Sequence, residues 1–253
     1  MKFSVITPVF NGERFIRDCI ESVLRQSYTD KEYIVVDGAS TDKTVDILKE
    51  YPLTWRSEKD RGLYDAFNKG INISTGDIVC FLCADDMYAH TNVLQLAADT
   101  FAANPDADIV YGDIVYVDRN DLSKVTRYWK SSPFKPGLFK KGWLPPNTAL
   151  FIRRSVFIEH GLFNMQFKMA SDYEMQYRFF EKLRINSVYI SDIMVRMRSG
   201  GMSNAGLFSM YKSLNECYKA LKQHNVKFPL VYIVNTIFYR LRQVFIPSHI
   251  KNQ

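Results

Sequence analysis

Short apolar runs alternate with helix-spaced apolar positions through roughly the first 110 residues, the pattern of a parallel sheet built by helical crossovers. Phe3–Val9 reads as the first strand. Residues 13–27 follow, with Phe15, Ile16, Cys19, Ile20, Val23 and Leu24 on one helical face. Residues 33–36 form a second strand, 41–50 a short helix and 53–57 an edge strand. Leu63–Ile73 is helical, and 78–83 is a continuous apolar run suited to a central strand buried on both faces. Residues 92–103 make another helix, closed by Asn104-Pro105.

The pattern then changes. Ile109–Val117 and Val125–Trp129 read as a strand pair. Residues 131–146, rich in Pro, Gly and Lys, read as a loop. Helical spacing returns at 155–160 and 172–182, and 187–197 reads as a strand. In the tail, Leu207, Met210, Tyr211, Leu214, Tyr218 and Leu221 fall at helical spacing. Beyond Pro229 comes a second stripe: Leu230, Ile233, Val234, Ile237, Phe238, Leu241, Val244 and Phe245. Asn235, Thr236, Arg240, Arg242 and Gln243 occupy its other face, so an amphipathic helix fits better than a membrane span. Such a stripe packs on the protein, packs on a second copy in a homodimer, or lies on a membrane surface; periodicity alone does not separate these. The expected organisation is a domain over 1–205, with a donor-binding half (1–110) and an acceptor-binding half (111–205), followed by a helical tail over 206–253.

Charge sharpens this division. The chain of 253 residues carries a net charge of +6. From Lys212 onward there are seven basic residues and one acid, Glu216, so the tail holds the whole excess and the first 211 residues balance. A nucleic-acid-binding core is not expected from that distribution. The N-terminus resembles no signal peptide, which makes a cytoplasmic location and reduced thiols the expectation. Cys80 and Cys83 form a C-x-x-C inside an apolar strand, where alternation sends the two side chains to opposite faces; core packing is the preferred reading.

The chain lacks a P-loop, a G-x-G-x-x-G fingerprint and an H-E-x-x-H motif. What stands out is the position of its acids. Ligands of open α/β sheets bind beyond the carboxyl ends of strands. Asp37 follows the second strand, Asp85-Asp86 follow the central strand, and residues 7–11 end the first. Adjacent carboxylates repel and call for a cation or hydrogen-bond donors, and Mg²⁺ or Mn²⁺ take one or two carboxylates together with phosphate oxygens. Taken alone, Asp85-Asp86 would equally suit a turn that caps the next helix.

Four stretches occur in order: Ser4-Val5-Ile6-Thr7-Pro8-Val9-Phe10-Asn11, Ile34-Val35-Val36-Asp37-Gly38-Ala39-Ser40-Thr41-Asp42, residues 60–70 (Asp60-Arg61-Gly62-Leu63-Tyr64-Asp65-Ala66-Phe67-Asn68-Lys69-Gly70) and Ala84-Asp85-Asp86. Over roughly residues 2–205 the chain resembles family 2 glycosyltransferases, and within them the branch that builds bacterial O-antigen, capsule or exopolysaccharide. The resemblance implies an α/β GT-A fold, Rossmann-like, with a mixed, mostly parallel sheet. It implies that Thr7, Val9 and Asn11 line the nucleotide pocket, that Asp37 accepts a hydrogen bond from the base (favouring uridine), and that Asp60 and Arg61 lie at the base or ribose end. Ala84 and Asp85 would lie near the ribose and diphosphate, and Asp86 would bind Mn²⁺ or Mg²⁺. Ala84 stands where many relatives carry the first acid of D-x-D.

By the same resemblance, residues 169–174 (Met169-Ala170-Ser171-Asp172-Tyr173-Glu174) supply the catalytic base, with Asp172 as the match and Glu174 as the fallback. An inverting transfer needs a carboxylate to take the acceptor hydroxyl proton. A role for Asp172 as a helix cap is compatible with this. Residues 146–148 would touch the acceptor and residues 200–203 would form a closing loop. Independently of the resemblance, Arg196 and Arg198 alternate onto one strand face, where either would offset diphosphate charge or simply face solvent. The implied reaction moves a sugar from a nucleotide sugar, UDP-linked by preference, to a glycan, commonly lipid-linked, at the inner face of the cytoplasmic membrane. Two rivals stand beside it: a degenerate partner subunit of a transferase, and a sugar nucleotidyltransferase, which would need a Gly-rich basic loop that residues 7–12 do not resemble.

Overall fold

A computed structural model describes residues 1–200 and 207–243. Strands β1 (Phe3–Val9), β2 (Lys31–Asp37), β3 (Thr54–Ser57) and β4 (Ile78–Phe81) alternate with helices α1 (Ile16–Leu24), α2 (Thr44–Leu48) and α3 (Leu63–Ile73). After β5 (Met87–Tyr88) and α4 (Val93–Ala103) come β6 (Ile109–Val117), β7 (Val125–Trp129), β8 (Leu150–Arg153) and α5 (Arg154–His160). Helix α6 (Ser171–Gln176) runs into a π-helical segment, Tyr177–Lys182, before β9 (Ser187–Arg198) and the tail helices α7 (Leu207–Gln223) and α8 (Pro229–Arg242).

All nine strands share one sheet, in the order β3-β2-β1-β4-β8-β6-β9-β5, with β7 paired to β6. The block β3-β2-β1-β4 is parallel, so Val9, Asp37, Ser57 and Phe81 end at one edge. Strand β8 inserts antiparallel between β4 and β6 and joins the two halves of the sheet. The sheet separates two apolar layers. One, with Val5, Val35, Phe151 and Val110, packs under α1 and α4 through Ile20, Val23, Leu94 and Phe101. The other, with Ile6, Phe81, Tyr111 and Phe139, packs under α3, α5 and α6 and receives Cys217, Ala220, Leu221 and Ile233 from the tail. Val5 and Ile6 belong to opposite layers, as strand alternation requires. Cys80 and Cys83 likewise join opposite layers, and all four cysteines are free.

Several expectations shift. Helix α1 begins at Ile16 rather than 13 because residues 12–15 form a turn in which Gly12 O accepts from the Phe15 and Ile16 amides, while Glu13 exchanges hydrogen bonds with Asp42 and Lys43. Helix α2 is shorter than 41–50 for a related reason: residues 41–43 bind the neighbouring loop. Strands β5 and β8 were not expected. A run of two or four residues carries no readable period, and these form only because β9 and β4 offer an edge. The expected loop at 131–146 contains a 3₁₀ turn, Phe139–Lys141, on which α8 sits.

Tail helices α7 and α8 pack on the protein with one face. The other face of α8 exposes Leu230, Val234, Phe238 and Leu241, at 65%, 47%, 59% and 58% accessibility. No helix among the described residues is long and apolar enough to cross a membrane. The expected closing loop at 201–203, the domain boundary at 205, and Val244 and Phe245 of the apolar stripe lie outside the described residues.

Candidate active site

The parallel block brings three clusters of polar groups to its carboxyl edge. The first joins the β1–α1 and β2–α2 loops. Asp37, fully buried, accepts hydrogen bonds from the Ser40 amide (3.0 Å), the Ser40 hydroxyl and the Ser57 hydroxyl (2.6 Å). The Asn11 amide donates to Ser40 Oγ (2.8 Å), and Asn11 Oδ1 accepts from the Thr41 amide (2.8 Å). Asn11 and Ala39 both hold left-handed backbone, at φ 51° and 65°. A left-handed alanine costs about 1 kcal/mol, so these interlocking bonds keep a strained edge in place. Asp60 lies over the same loop: a Cβ added to Gly38 would come within 2.6 Å of its Oδ2, and its Oδ1 accepts from the Gly62 amide (2.9 Å). Arg61 turns to Asp65, at 3.1 Å, and lines a cavity of about 320 Å³ with Tyr64, Phe167 and Lys168.

Not every expected residue presents its side chain here. The Thr7 hydroxyl accepts from Tyr33 (3.1 Å) and faces Cys19, inside the layer beneath α1. Val9 is in that same layer, while its carbonyl accepts from the Gly38 amide (2.8 Å). Thr7 and Val9 therefore shape this edge through the backbone and core, Asn11 and Asp60 form its polar surface, and Asp37 lies buried beneath it, holding Ser40 and Ser57.

The second cluster follows β4. Asp86 is 2% exposed; burial first, then the charge of Asp85, push its carboxyl well above the ordinary aspartate value, opposed by the Arg198 amide and guanidinium. The Arg198 amide donates to Asp86 Oδ1 (3.3 Å), and its guanidinium donates to the Asp85 carbonyl (2.8 Å) and to Asp18. Arg119, from the β6–β7 hairpin, approaches Asp85 Oδ2 at 3.8 Å. The guanidinium groups of Arg198 and Arg119 both lie against the Phe15 ring, at 4.8 and 4.5 Å. Ala84 packs beside Gly12 and adds no polar group. Arg196 points elsewhere and donates to the Leu122 carbonyl (2.7 Å), so of the two β9 arginines only Arg198 reaches the acidic pair.

These residues fit a divalent cation. Asp86 Oδ2 has no hydrogen-bond donor among the described residues, and the carboxyl is held in a state that a cation would relieve. No group of three or more His, Cys, Asp or Glu among the described residues could enclose a metal. A cation at Asp86 would therefore draw its other ligands from phosphate oxygens and water, as Mg²⁺ sites commonly do.

The third cluster sits at the start of α6. Asp172 Oδ1 accepts from the Tyr64 hydroxyl and from the Tyr173 amide, each at 2.8 Å. Burial pushes the Asp172 carboxyl up; the Tyr64 and Tyr173 bonds and the charge of Arg240 hold it back. Glu174 is unavailable as a base. It is 2% exposed and tied to Arg178 (3.1 Å) and His224 (2.8 Å), which lock the tail to α6 and hold its carboxyl below the ordinary range against the pull of burial. Asn147 Oδ1, Thr148 Oγ1 and Ser171 Oγ are buried without a partner. Tyr64, in the helix that follows the Asp60-Arg61 loop, ties the third cluster to the carboxyl edge of the parallel block. Sequence reading missed Tyr64, Arg119 and Arg240: the first lay inside a quoted motif without a role, and the others come from a hairpin and a tail whose docking no local pattern reveals.

The family model described as Glycosyl transferase family 2 matches residues 4–164. A PGL/p-HBAD biosynthesis glycosyltransferase of Mycobacterium bovis is 30% identical over 209 residues, covering 80% of this chain and 79% of its own. Among solved structures, residues 1–349 of Staphylococcus aureus TarS superpose with a TM-score of 0.67 at 17% identity, covering 96% of this chain and 72% of that one. The mannosyltransferase PcManGT of Pyrobaculum calidifontis, solved with GDP-Man and Mn²⁺, gives 0.65 at 18% identity, covering 96% and 70%.

Proposed function

This chain belongs to glycosyl transferase family 2, and from that premise we propose an inverting, metal-dependent transfer of one sugar from a nucleotide sugar, UDP-linked by preference, to a glycan hydroxyl. The protein is a glycosyltransferase of GT-A fold. The observation that carries the finer reading is that β1, β2 and β4 end at one edge with Asp37 and the Asp85-Asp86-Arg198 cluster, while Tyr64, in the helix that follows the Asp60-Arg61 loop over that edge, holds Asp172.

In this reading Asn11, Asp37 and Asp60 receive the base and ribose, with Thr7 and Val9 shaping the edge beneath them and Arg61 at its rim. Asp85 and Arg198 face the diphosphate, and Asp86 holds Mn²⁺ or Mg²⁺, which would neutralise charge on the departing diphosphate. Asp172 takes the acceptor hydroxyl proton. Its raised carboxyl suits a general base better than an ordinary aspartate would, since a stronger base drives proton transfer further. Tyr64 holds the carboxylate oxygen in position.

The acceptor in this reading is a lipid-linked oligosaccharide of a bacterial surface polysaccharide, met at the inner face of the cytoplasmic membrane. The exposed apolar face of α8 and the tail's net charge support it. A basic residue near anionic lipid contributes on the order of 1 kcal/mol, so several suffice for peripheral attachment.

Thermal unfolding with UDP, GDP, dTDP, CMP or ATP, each with Mn²⁺, Mg²⁺ or EDTA, tests the donor site. A ligand at a hundredfold excess over its Kd stabilises the folded state by about 2.7 kcal/mol. The expected result is a metal-dependent rise with one nucleoside diphosphate, strongest with UDP, that disappears in Asp86→Asn. No rise with any nucleotide would overturn the reading, and release of pyrophosphate rather than nucleoside diphosphate during turnover would replace it with nucleotidyl transfer.

A further inference from the structure

Three guanidinium groups gather on one aromatic ring beside the Asp85-Asp86 cluster. Arg14, Arg119 and Arg198 lie 5.0, 4.5 and 4.8 Å from the centre of the Phe15 ring. At such distances a ring attracts a guanidinium without using its N–H donors. The three come from separate parts of the chain: the β1–α1 loop, the tip of the β6–β7 hairpin and the last residue of β9. Arg119 and Arg198 thus reach this edge from beyond residue 110, the half expected to bind the acceptor.

The three differ in what they have left to offer a ligand. Arg14 donates to Asn120 Oδ1 (2.6 Å). The Arg198 side chain is 3% exposed, and its guanidinium is bound to Asp18 and to the Asp85 carbonyl. The Arg119 side chain is 38% exposed, and the Asp85 side chain beside it is 29% exposed. Those two approach at 3.8 Å, beyond hydrogen-bond range, and Arg119 Nη1 is buried without a partner. Of the three, Arg119 therefore combines solvent access with an unused donor. The hairpin also fixes it in place. Asp118 Oδ1 accepts from the Asn120 amide (2.9 Å) and the Asp121 amide (3.1 Å), which closes the tip as a tight turn. The Ser199 amide donates to the Val117 carbonyl (2.9 Å), the Thr126 and Ser199 hydroxyls share a hydrogen bond (2.9 Å), and both tie the hairpin to the end of β9. A planar group held this way loses little freedom when it meets a ligand.

We propose that Arg119 is a diphosphate-binding residue of the donor site, presenting its guanidinium from the Phe15 ring to the phosphate oxygens while Arg198 supports the Asp85-Asp86 turn from within. The proposal rests on the transferase reading above and adds to it a ligand contact from the β6–β7 hairpin. A guanidinium donates two parallel bonds to a phosphate, which suits a group that keeps its donors free. The departing nucleoside diphosphate gains negative charge beyond what one divalent cation neutralises, and a fixed cation at Asp85 stands where that charge develops.

The test titrates the full chain with UDP, GDP and dTDP and with the matching nucleosides, all with Mg²⁺ in excess. For the diphosphate that the wild type binds, R119Q should weaken binding about tenfold, the loss expected for a hydrogen bond to a charged group, and leave the nucleoside unchanged. R119K keeps a charge but not the planar fork and should recover part of that loss. F15L keeps the arginines and removes their platform, so it should weaken the diphosphate about threefold and spare the nucleoside. Nucleoside affinity, read in the same protein, reports that each variant is folded with its site intact. Diphosphate affinity unchanged in R119Q would overturn the proposal. Equal losses of diphosphate and nucleoside in R119Q and R119K would overturn it too, since a merely structural arginine acts on both. If the wild type binds none of the diphosphates, the donor reading falls and this proposal with it, a result seen before any variant is compared.

Discussion

Replacing Tyr64 with Phe isolates the contact that positions Asp172. Tyr64 is 6% exposed, its ring stacks on Phe163 at 5.5 Å, and its hydroxyl donates to Asp172 Oδ1 at 2.8 Å. Phe keeps the stacking and deletes only the hydroxyl. A hydrogen bond to a charged group contributes about 1.5–3 kcal/mol, and 1.36 kcal/mol corresponds to a tenfold change in a proton equilibrium. The Tyr173 amide and the Arg240 charge remain and absorb part of the loss. The acid limb of the kcat/KM profile should therefore move up by about one pH unit in Y64F, from a wild-type limb that already lies above the ordinary aspartate value of 3.8. The sign follows from the base being active only when ionised: activity is lost as pH falls through its pKa, and removing a donor raises that pKa. Stability gives an independent reading. The folded-state pKa of Asp172 is above its unfolded value, so between the two the native state binds more protons and stability falls as pH rises. Y64F should be destabilised at neutral pH, and the difference from wild type should shrink as pH drops into that window. Rates at saturating and limiting acceptor across pH, with thermal unfolding in the same buffers, provide both readouts. An acid limb that stays fixed while Y64F loses activity uniformly would refute Asp172 as the titrating base.

Other substitutions test the remaining parts. Asp172→Asn should lower kcat by about 10²–10⁴-fold and leave nucleotide affinity unchanged, as measured by turnover beside calorimetric titration. Asp86→Asn removes a carboxyl that burial disfavours, so without metal its melting temperature should equal or exceed that of wild type while metal-dependent nucleotide binding disappears; retained metal dependence would exclude Asp86 as the ligand. Gly142 has φ 84° and a Cβ there would collide with the Asn235 carbonyl of α8, so Gly142→Ala should release the tail at a cost of about 1–3 kcal/mol, visible as faster limited proteolysis after 223. Charging the outer face of α8 through Leu230→Glu and Phe238→Glu should abolish sedimentation with anionic vesicles without changing nucleotide affinity; undiminished sedimentation would exclude that face as the membrane contact.

Local pattern was enough to expose the N-terminal half of the fold. Strands such as Phe3–Val9 and the helix Leu63–Ile73 each bury a complete face against a regular neighbour, so their periods survive in the sequence. Parallel connections then bring Asp37 and Asp85-Asp86 to one edge, and the order of the four stretches pointed to the family. What tertiary structure decided was which of these side chains can meet a ligand. Thr7 and Val9 alternate into the core, a distinction their motif does not carry, and Arg198 and Arg196 diverge because they meet different loops. Glu174 and Asp172 are two positions apart on one helix, yet only tertiary packing shows that the first is held by Arg178 and by His224 of the tail while the second faces Tyr64. The tail's stripe fixed a helix but not its partner, because an apolar period records that a face is to be covered and not by what. Its docking onto residues 127–142 arises from contacts about a hundred residues apart that no local window contains.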